Sequence, residues 1–177
     1  MAEAMTTTSD AILAATYSLC CTEPISAVSI REIAAACGYT PRTIYKHFEN
    51  KEELFHVLLT VLMENKAAWI FAAMDAENDP LARLAVYSIA NYRYLERFPA
   101  ELKIVHYSQA MEYRRESIRR EVLVGHNERR IALYRRFEAL LLEGIRRGPL
   151  RDDTDIPMAP HLITGPYRQL TYLPRVL

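Results

Sequence analysis

Residues 37 to 55 read Cys37-Gly38-Tyr39-Thr40-Pro41-Arg42-Thr43-Ile44-Tyr45-Lys46-His47-Phe48-Glu49-Asn50-Lys51-Glu52-Glu53-Leu54-Phe55. Gly38 is a stop signal for the helix before it, because glycine enters the left-handed conformation that ends a helix at little cost. Thr40 and Pro41 are a start signal: a hydroxyl that can take a free amide, then a residue whose missing N–H has no partner to lose in the first turn. Asn50 with Glu53 opens another helix, and the acidic first turn of that helix suits its dipole. The helix between these signals can run only from Pro41 to about His47 or Phe48, about two turns.

Upstream, Ser29 and Glu32 have the S-x-x-E spacing of a capping box, so a second short helix runs from Ser29 to the stop at Gly38. Two short helices joined by a glycine-containing turn, Cys37 to Thr40, have the dimensions of a helix-turn-helix. The second of them then lies in a major groove, which is ~12 Å wide and admits one α-helix. Ile44 and Phe48, four apart, can face inward onto Ile30, Ile33, Ala34 and a first helix that starts after Ser9. Thr40, Arg42, Thr43, Tyr45, Lys46 and His47 are left for the outer side. Arg42 can donate twice to guanine, Thr43 can meet a base edge, and Tyr45, Lys46 and His47 can reach phosphates. Ser29 and Lys51 stand at helix starts, where free amides also attract phosphate. The same spacing also fits a short connector in a helical bundle, with Arg42 and Lys46 merely solvated.

Helical periodicity dominates the remainder, so the fold class is all-α: a three-helix helix-turn-helix unit joined by a long fourth helix to a C-terminal helical bundle. The division falls between residues 1–50, the helix-turn-helix unit, and residues 51–177, the helical body. The fourth helix runs to about Met74, with Leu54, Leu58, Val61, Leu62 and Trp69 buried. Asp79-Pro80 opens a fifth, whose seam is Leu81, Leu84, Ala85, Ser88, Tyr92 and Leu95, and Phe98-Pro99 closes it. A short helix over Glu101 to Gln109, a long Arg-rich one from Ser117 to Arg147 and a last one from Pro157 to about Tyr172 complete the chain.

Half of the 177 residues are hydrophobic and a quarter charged, the profile of a globular protein. No run reaches the ~18 apolar residues of a membrane span, and MAEAMTTTSD resembles no leader, so a cytoplasmic protein without a membrane partner is expected. Cys20, Cys21 and Cys37 have neither a disulfide pattern nor metal spacing and read as buried thiols. No catalytic set, phosphate loop or metal cluster is present, which leaves the expectation of no enzyme, no cofactor and no metal. Net charge is zero but unevenly spread. Residues 1–60 hold four basic side chains against seven acidic ones, with none basic before Arg31, whereas residues 111–151 hold eleven arginines against six glutamates. The paired arginines read as a solvated helix face, supported by Glu143 and Arg147 at the favourable i, i+4 order.

The segment VSIREIAAACGYTPRTIYKHFENKEELF resembles the DNA-binding half of the tetracycline-repressor-like (TetR) transcriptional regulators. The resemblance rests on Ser29-Ile30-Arg31-Glu32-Ile33-Ala34, Gly38-Tyr39-Thr40, Thr43-Ile44-Tyr45-Lys46-His47-Phe48 and Lys51-Glu52-Glu53-Leu54, and covers about residues 9–60. It implies an all-helical regulator, most often a repressor, that binds a palindromic operator as a homodimer and releases it when a small molecule occupies the C-terminal body. It also implies DNA contact at Ser29, Thr40, Arg42, Thr43, Tyr45, Lys46, His47 and Lys51. Trp69, Tyr92, His106, Met111 and His126 are candidate effector-binding residues, although core packing explains each as well. Leu162, Tyr167 and Leu170 on the last helix are candidates for the dimer interface. A helical ligand-binding or interaction protein of the same fold, with weak or no DNA binding, is the alternative reading.

Overall fold

The computed structural model describes residues 7–110, 116–148 and 150–153; Met111, Leu162, Tyr167 and Leu170, and the helix expected over 157–172, lie outside the described residues. Seven helices follow one another among them: α1 (Thr8–Thr22), α2 (Ile30–Ala36), α3 (Pro41–His47), α4 (Lys51–Met74), α5 (Pro80–Arg97), α6 (Pro99–Ala110) and α7 (Arg120–Arg146). The described residues contain no strand, so the all-α class holds.

Most boundaries are set by local chemistry. Thr7 and Asp10 form a capping box on α1, which places the start two residues earlier than Ser9 suggests. Ser29 and Glu32 form the box expected on α2. Thr40 Oγ1 accepts from the Thr43 N–H at 3.2 Å, and Pro41 fills the first position of α3. Asn50 Oδ1 accepts from the Glu53 N–H at 2.8 Å, and Asp79 Oδ2 from the Ala82 N–H at 2.8 Å. Each of these satisfies an amide that the helix itself leaves without a partner.

The chain divides into two compact units, the first drawn from Met1–Leu62 and Phe98–His126, the second from Met63–Arg97 and Asn127–Leu177. Compactness thus groups α6 and the first turns of α4 and α7 with the reading head. In the first unit, Ile12, Leu13 and Cys20 of α1, Ile33 of α2, Ile44 of α3, Leu54, Phe55 and Leu58 of α4 and Ile104 of α6 share one core. Ile44 is fully buried, a contribution of about 2 kcal/mol. Phe48 joins this core, and Tyr107 of α6 meets Phe55 with ring centroids 4.9 Å apart.

In the second unit, Ile70, Phe71 and Met74 of α4 pack with Ala90 of α5 and Leu140 of α7. Arg83 pairs with both Asp75 and Glu143, and Arg136 lies 4.0 Å from the centroid of the Phe71 ring while reaching Asp75 at 2.7 Å. At Gly144 of α7 a Cβ would lie 2.6 Å from the Leu150 side chain, which would have to move aside for a larger residue.

Three sequence expectations fail in these helices. Trp69 is 47% exposed, and the buried stripe of the second half of α4 is Ile70, Phe71 and Met74. The inward face of α5 is Ala90, Asn91 and Tyr94 with Tyr87 partly covered, while Leu81 and Tyr92 face outward at 45% and 53% exposure. Both helices carry two apolar stripes, and only the neighbouring elements decide which is covered. Of the thiols, Cys20 alone is buried, which pushes it up to about 11; Cys21 is exposed and Cys37 half-buried. By length and composition α4 is apolar enough to cross a membrane, but Glu64 and Lys66 interrupt its apolar run, as the sequence reading has it. Its apolar side chains supply the two cores just described.

Candidate nucleic-acid interface

The turn between α2 and α3 is built by hydrogen bonds that only a left-handed residue permits. Gly38 has φ +71°, and the Tyr39 N–H reaches Ala34 O at 2.9 Å while the Gly38 N–H reaches Ala35 O at 3.3 Å. These two bonds define a Schellman stop, and they swing the chain so that α3 starts at once. Ile44 and Phe48 then anchor α3 from beneath, at 0% and 4% exposure.

The opposite side of α3 is open. Arg42, Tyr45 and Lys46 are exposed, Tyr45 by 54%, with Thr40 and Tyr39 exposed beside them. With its side chains a helix is about 10–12 Å across, which matches a groove ~12 Å wide. Thr43 is half-buried, and its hydroxyl lies 3.0 Å from that of Thr40. Ser29 is exposed at the start of α2, its hydroxyl already engaged by the Glu32 N–H at 3.3 Å.

Two of the eight sequence candidates are turned to other tasks. His47 is half-buried, with Nδ1 2.9 Å from Ser9 Oγ of α1. Lys51 sends its ammonium inward, donating to Ile25 O at 3.1 Å and lying 5.6 Å from the centroids of both Phe55 and Tyr107. Burial pulls its pKa below the ordinary lysine value, against the pull of Glu52. Arg42, Tyr45 and Lys46 remain as an open cluster on one helix.

The head is also held by Arg119, one of the paired arginines read from the sequence as a solvated face, which is instead bonded within the first unit. Arg119, just ahead of α7, donates through Nε to the Glu53 carboxylate at 2.9 and 3.0 Å and through Nη2 to His47 O at 3.2 Å. Glu53 itself has no exposed side-chain surface. Burial alone would push its carboxyl up, but hydrogen bonds from Arg119 and from the Glu49 N–H outweigh that and hold it below the usual value. Ser9 and Arg119 act across 38 and 66 to 72 residues of sequence, so no local motif announces them.

The effector candidates among the described residues are divided between the two units. Trp69 and Tyr92 belong to the second unit and are exposed, Trp69 with its ring edge-on to Tyr94 at 5.9 Å. His106 and His126 belong to the first unit and are half-buried; His126 Nδ1 lies 2.7 Å from Thr60 Oγ1, and its ring 4.5 Å from that of His56. Among the described residues no group of three or more His, Cys, Asp or Glu could hold a metal ion.

A helix of two turns, buried on one side, open and basic on the other and set at a fixed angle by a Schellman turn, is the reading head of a helix-turn-helix DNA-binding protein. Residues 12–58 match the family model for bacterial regulatory proteins of the tetR family. It is 27% identical over 143 residues to the HTH-type transcriptional repressor KstR2 of Mycobacterium tuberculosis, covering 78% of this chain and 67% of the relative. It is 23% identical over 143 residues to the nucleoid occlusion factor SlmA of Vibrio cholerae, covering 81% and 68%. Among solved structures, the transcriptional regulator FadR of Bacillus subtilis in complex with stearoyl-CoA superimposes with a TM-score of 0.72 at 18% identity, over 91% of this chain and 83% of that one.

Proposed function

We propose that this regulator is a ligand-responsive repressor that binds a palindromic operator as a homodimer in the cytoplasm. The observation that carries the reading is the open cluster of Arg42, Tyr45 and Lys46 on a helix whose other side, Ile44, is fully buried. Arg42 reads a guanine edge, Thr43 an adjacent base, and Lys46 and Tyr45 hold phosphates, with Thr40 and Ser29 at the flanking helix starts. A two-fold dimer sets two such heads in successive major grooves, ~34–36 Å apart, and Leu162, Tyr167 and Leu170 supply its apolar contacts.

The effector binds the helical body over residues 51–177, with residues 1–50 as the DNA-binding part. Its class is an apolar chain with an anionic head, for which the stearoyl-CoA bound to FadR is the first probe. Trp69, Tyr92, His106, Met111 and His126 are the residues to vary. Since α4 is continuous from the reading head to Met74, a ligand that favours one setting of α4 favours one spacing of the heads, and its coupling to DNA is reciprocal.

The test is selection from random double-stranded oligonucleotides at low salt. Enrichment of an inverted repeat is the expected result, and stearoyl-CoA, but not free CoA, should then release the enriched site. Selection that enriches no sequence overturns the regulator reading.

A further inference from the structure

The segment Ser117 to Arg119, immediately ahead of α7, grips the reading head from the side of its C-terminal end. Asn50 Nδ2, at the start of α4, donates to Ser117 O. The Arg119 N–H donates to Glu53 Oε2 at 3.2 Å, and its Nε and Nη2 donate to the same carboxylate. Nη2 also takes His47 O, the carbonyl of the last residue of α3, at 3.2 Å. Glu49 and Glu121 flank the guanidinium at 4.0 and 3.9 Å.

The chemistry of this cluster favours position over stability. A buried carboxylate is costly, and an ion pair formed to offset that cost is often no more stabilising than an apolar pair of the same volume. What an apolar pair cannot do is hold a helix-end carbonyl and a carboxylate with one rigid group. The guanidinium can, because its donors lie in a fixed plane, and a cation at a helix C-terminus also suits the dipole. One side chain therefore fixes the end of α3 to the first turn of α4 and to the start of α7.

We infer that Arg119 is a positioning residue for DNA recognition: it sets the angle of α3 through His47 O and Glu53, and makes the start of α7 a second support of the reading head beside α4. The inference rests on the regulator reading and deepens it. A base contact requires donors held to within about half an ångström, so loosening the end of α3 degrades base reading. Phosphate contacts, which depend on charge at longer range, are little changed. The role differs from that of Lys46, whose charge points outward.

The experiment compares the wild-type chain with Arg119→Lys, Arg119→Gln and the double variant Glu53→Leu with Arg119→Met, each titrated with the selected operator and with a scrambled duplex over a range of salt. Arg119→Lys keeps a charge on Glu53 but cannot also bridge to His47 O. Both single variants should lose about tenfold in affinity for the operator, the worth of one misaligned base contact. Affinity for the scrambled duplex and the slope of log affinity against log salt should stay at wild-type values. The double variant leaves no unpaired charge; it should regain the thermal midpoint lost in Arg119→Gln without regaining discrimination, and it keeps the test valid if a single variant fails to fold.

Wild-type discrimination in folded Arg119→Lys or in the double variant overturns the inference. So does an equal loss on both duplexes with a shallower salt slope, which would mark Arg119 as a phosphate contact. Failure of the wild type to select any sequence overturns the regulator reading and the inference with it, a result distinct from the other two.

Discussion

Ser9 Oγ and His47 Nδ1 stand 2.9 Å apart, so the first turn of α1 holds the last residue of the recognition helix although 38 residues separate the two in sequence. The bond is partly shielded, and its loss leaves the imidazole without that partner. Ser9→Ala should therefore lower the unfolding free energy by about 1 kcal/mol and the thermal midpoint by about 2–4 °C for a chain of this size. A double-mutant cycle with His47→Ala in urea should return a coupling of about 0.5–1.5 kcal/mol; a coupling of zero would mean that the contact is not maintained in solution.

Gly38 presents a different kind of constraint. A Cβ at this position would meet nothing within 4 Å, yet φ is +71°, a conformation that L side chains rarely adopt. Gly38→Ala should cost about 1–2 kcal/mol through the backbone alone, while Gly38→Asn, which tolerates the left-handed region better, should cost less. Urea unfolding midpoints of the two variants check the order, and Ala proving as stable as Gly would show that the turn can be made another way.

The first half of the fold was legible because its signals are local. Ser29 with Glu32, Thr40 with Pro41, and Asn50 with Glu53 each concern groups within one turn, and the structure carries all three N-terminal bonds. The alternation of Ile44 and Phe48 against Arg42, Tyr45 and Lys46 was legible for the same reason, since helical spacing alone separates them. What escaped the sequence depends on distant partners. Lys51 stands where a phosphate contact was expected, but Ile25 O, Phe55 and Tyr107 together offer its ammonium an inner seat. Glu53 looked like half of a capping box; its side chain instead takes the Glu49 N–H and Arg119, and is buried. The outward turn of Trp69 and Tyr92 has the same origin, because either stripe of α4 or α5 could have been covered.

Glu53 gives the fold a defined response to acid. Its carboxyl lies below the ordinary 4.5 in the folded chain, so the pair contributes stability that is complete above that value and is lost as pH falls through the folded pKa. Asp10 and Glu32, each lowered by hydrogen bonds from its capping partner, act in the same sense. In Arg119→Met the burial of Glu53 is no longer offset and its pKa should rise above 4.5, which reverses the sign of its contribution. Urea unfolding from about pH 3 to pH 7 should show the wild type losing stability towards acid, with the gap between the two proteins widest near neutrality and narrowing as Glu53 protonates. A gap independent of pH would show that Glu53 and Arg119 are not electrostatically linked.

The last prediction separates the three cations of the reading head. Arg42 and Lys46 are exposed on α3, whereas the Lys51 ammonium donates to Ile25 O and faces two aromatic rings. Arg42→Ala should relax base preference at one position of the selected operator at a cost of about 1–3 kcal/mol, and Lys46→Ala should weaken all duplexes alike and reduce the salt slope by about one. Lys51→Met keeps the apolar stem over Phe55 and Tyr107 and removes a charge engaged by Ile25 O, so it should leave the salt slope within error of wild type. Residues 1–60 hold only four basic side chains, Arg31, Arg42, Lys46 and Lys51. With Lys51 turned inward, few remain to neutralise phosphate, and the slope for one head should be correspondingly shallow. A slope that falls by about one in Lys51→Met would mean that its ammonium leaves Ile25 O and swings out to the DNA.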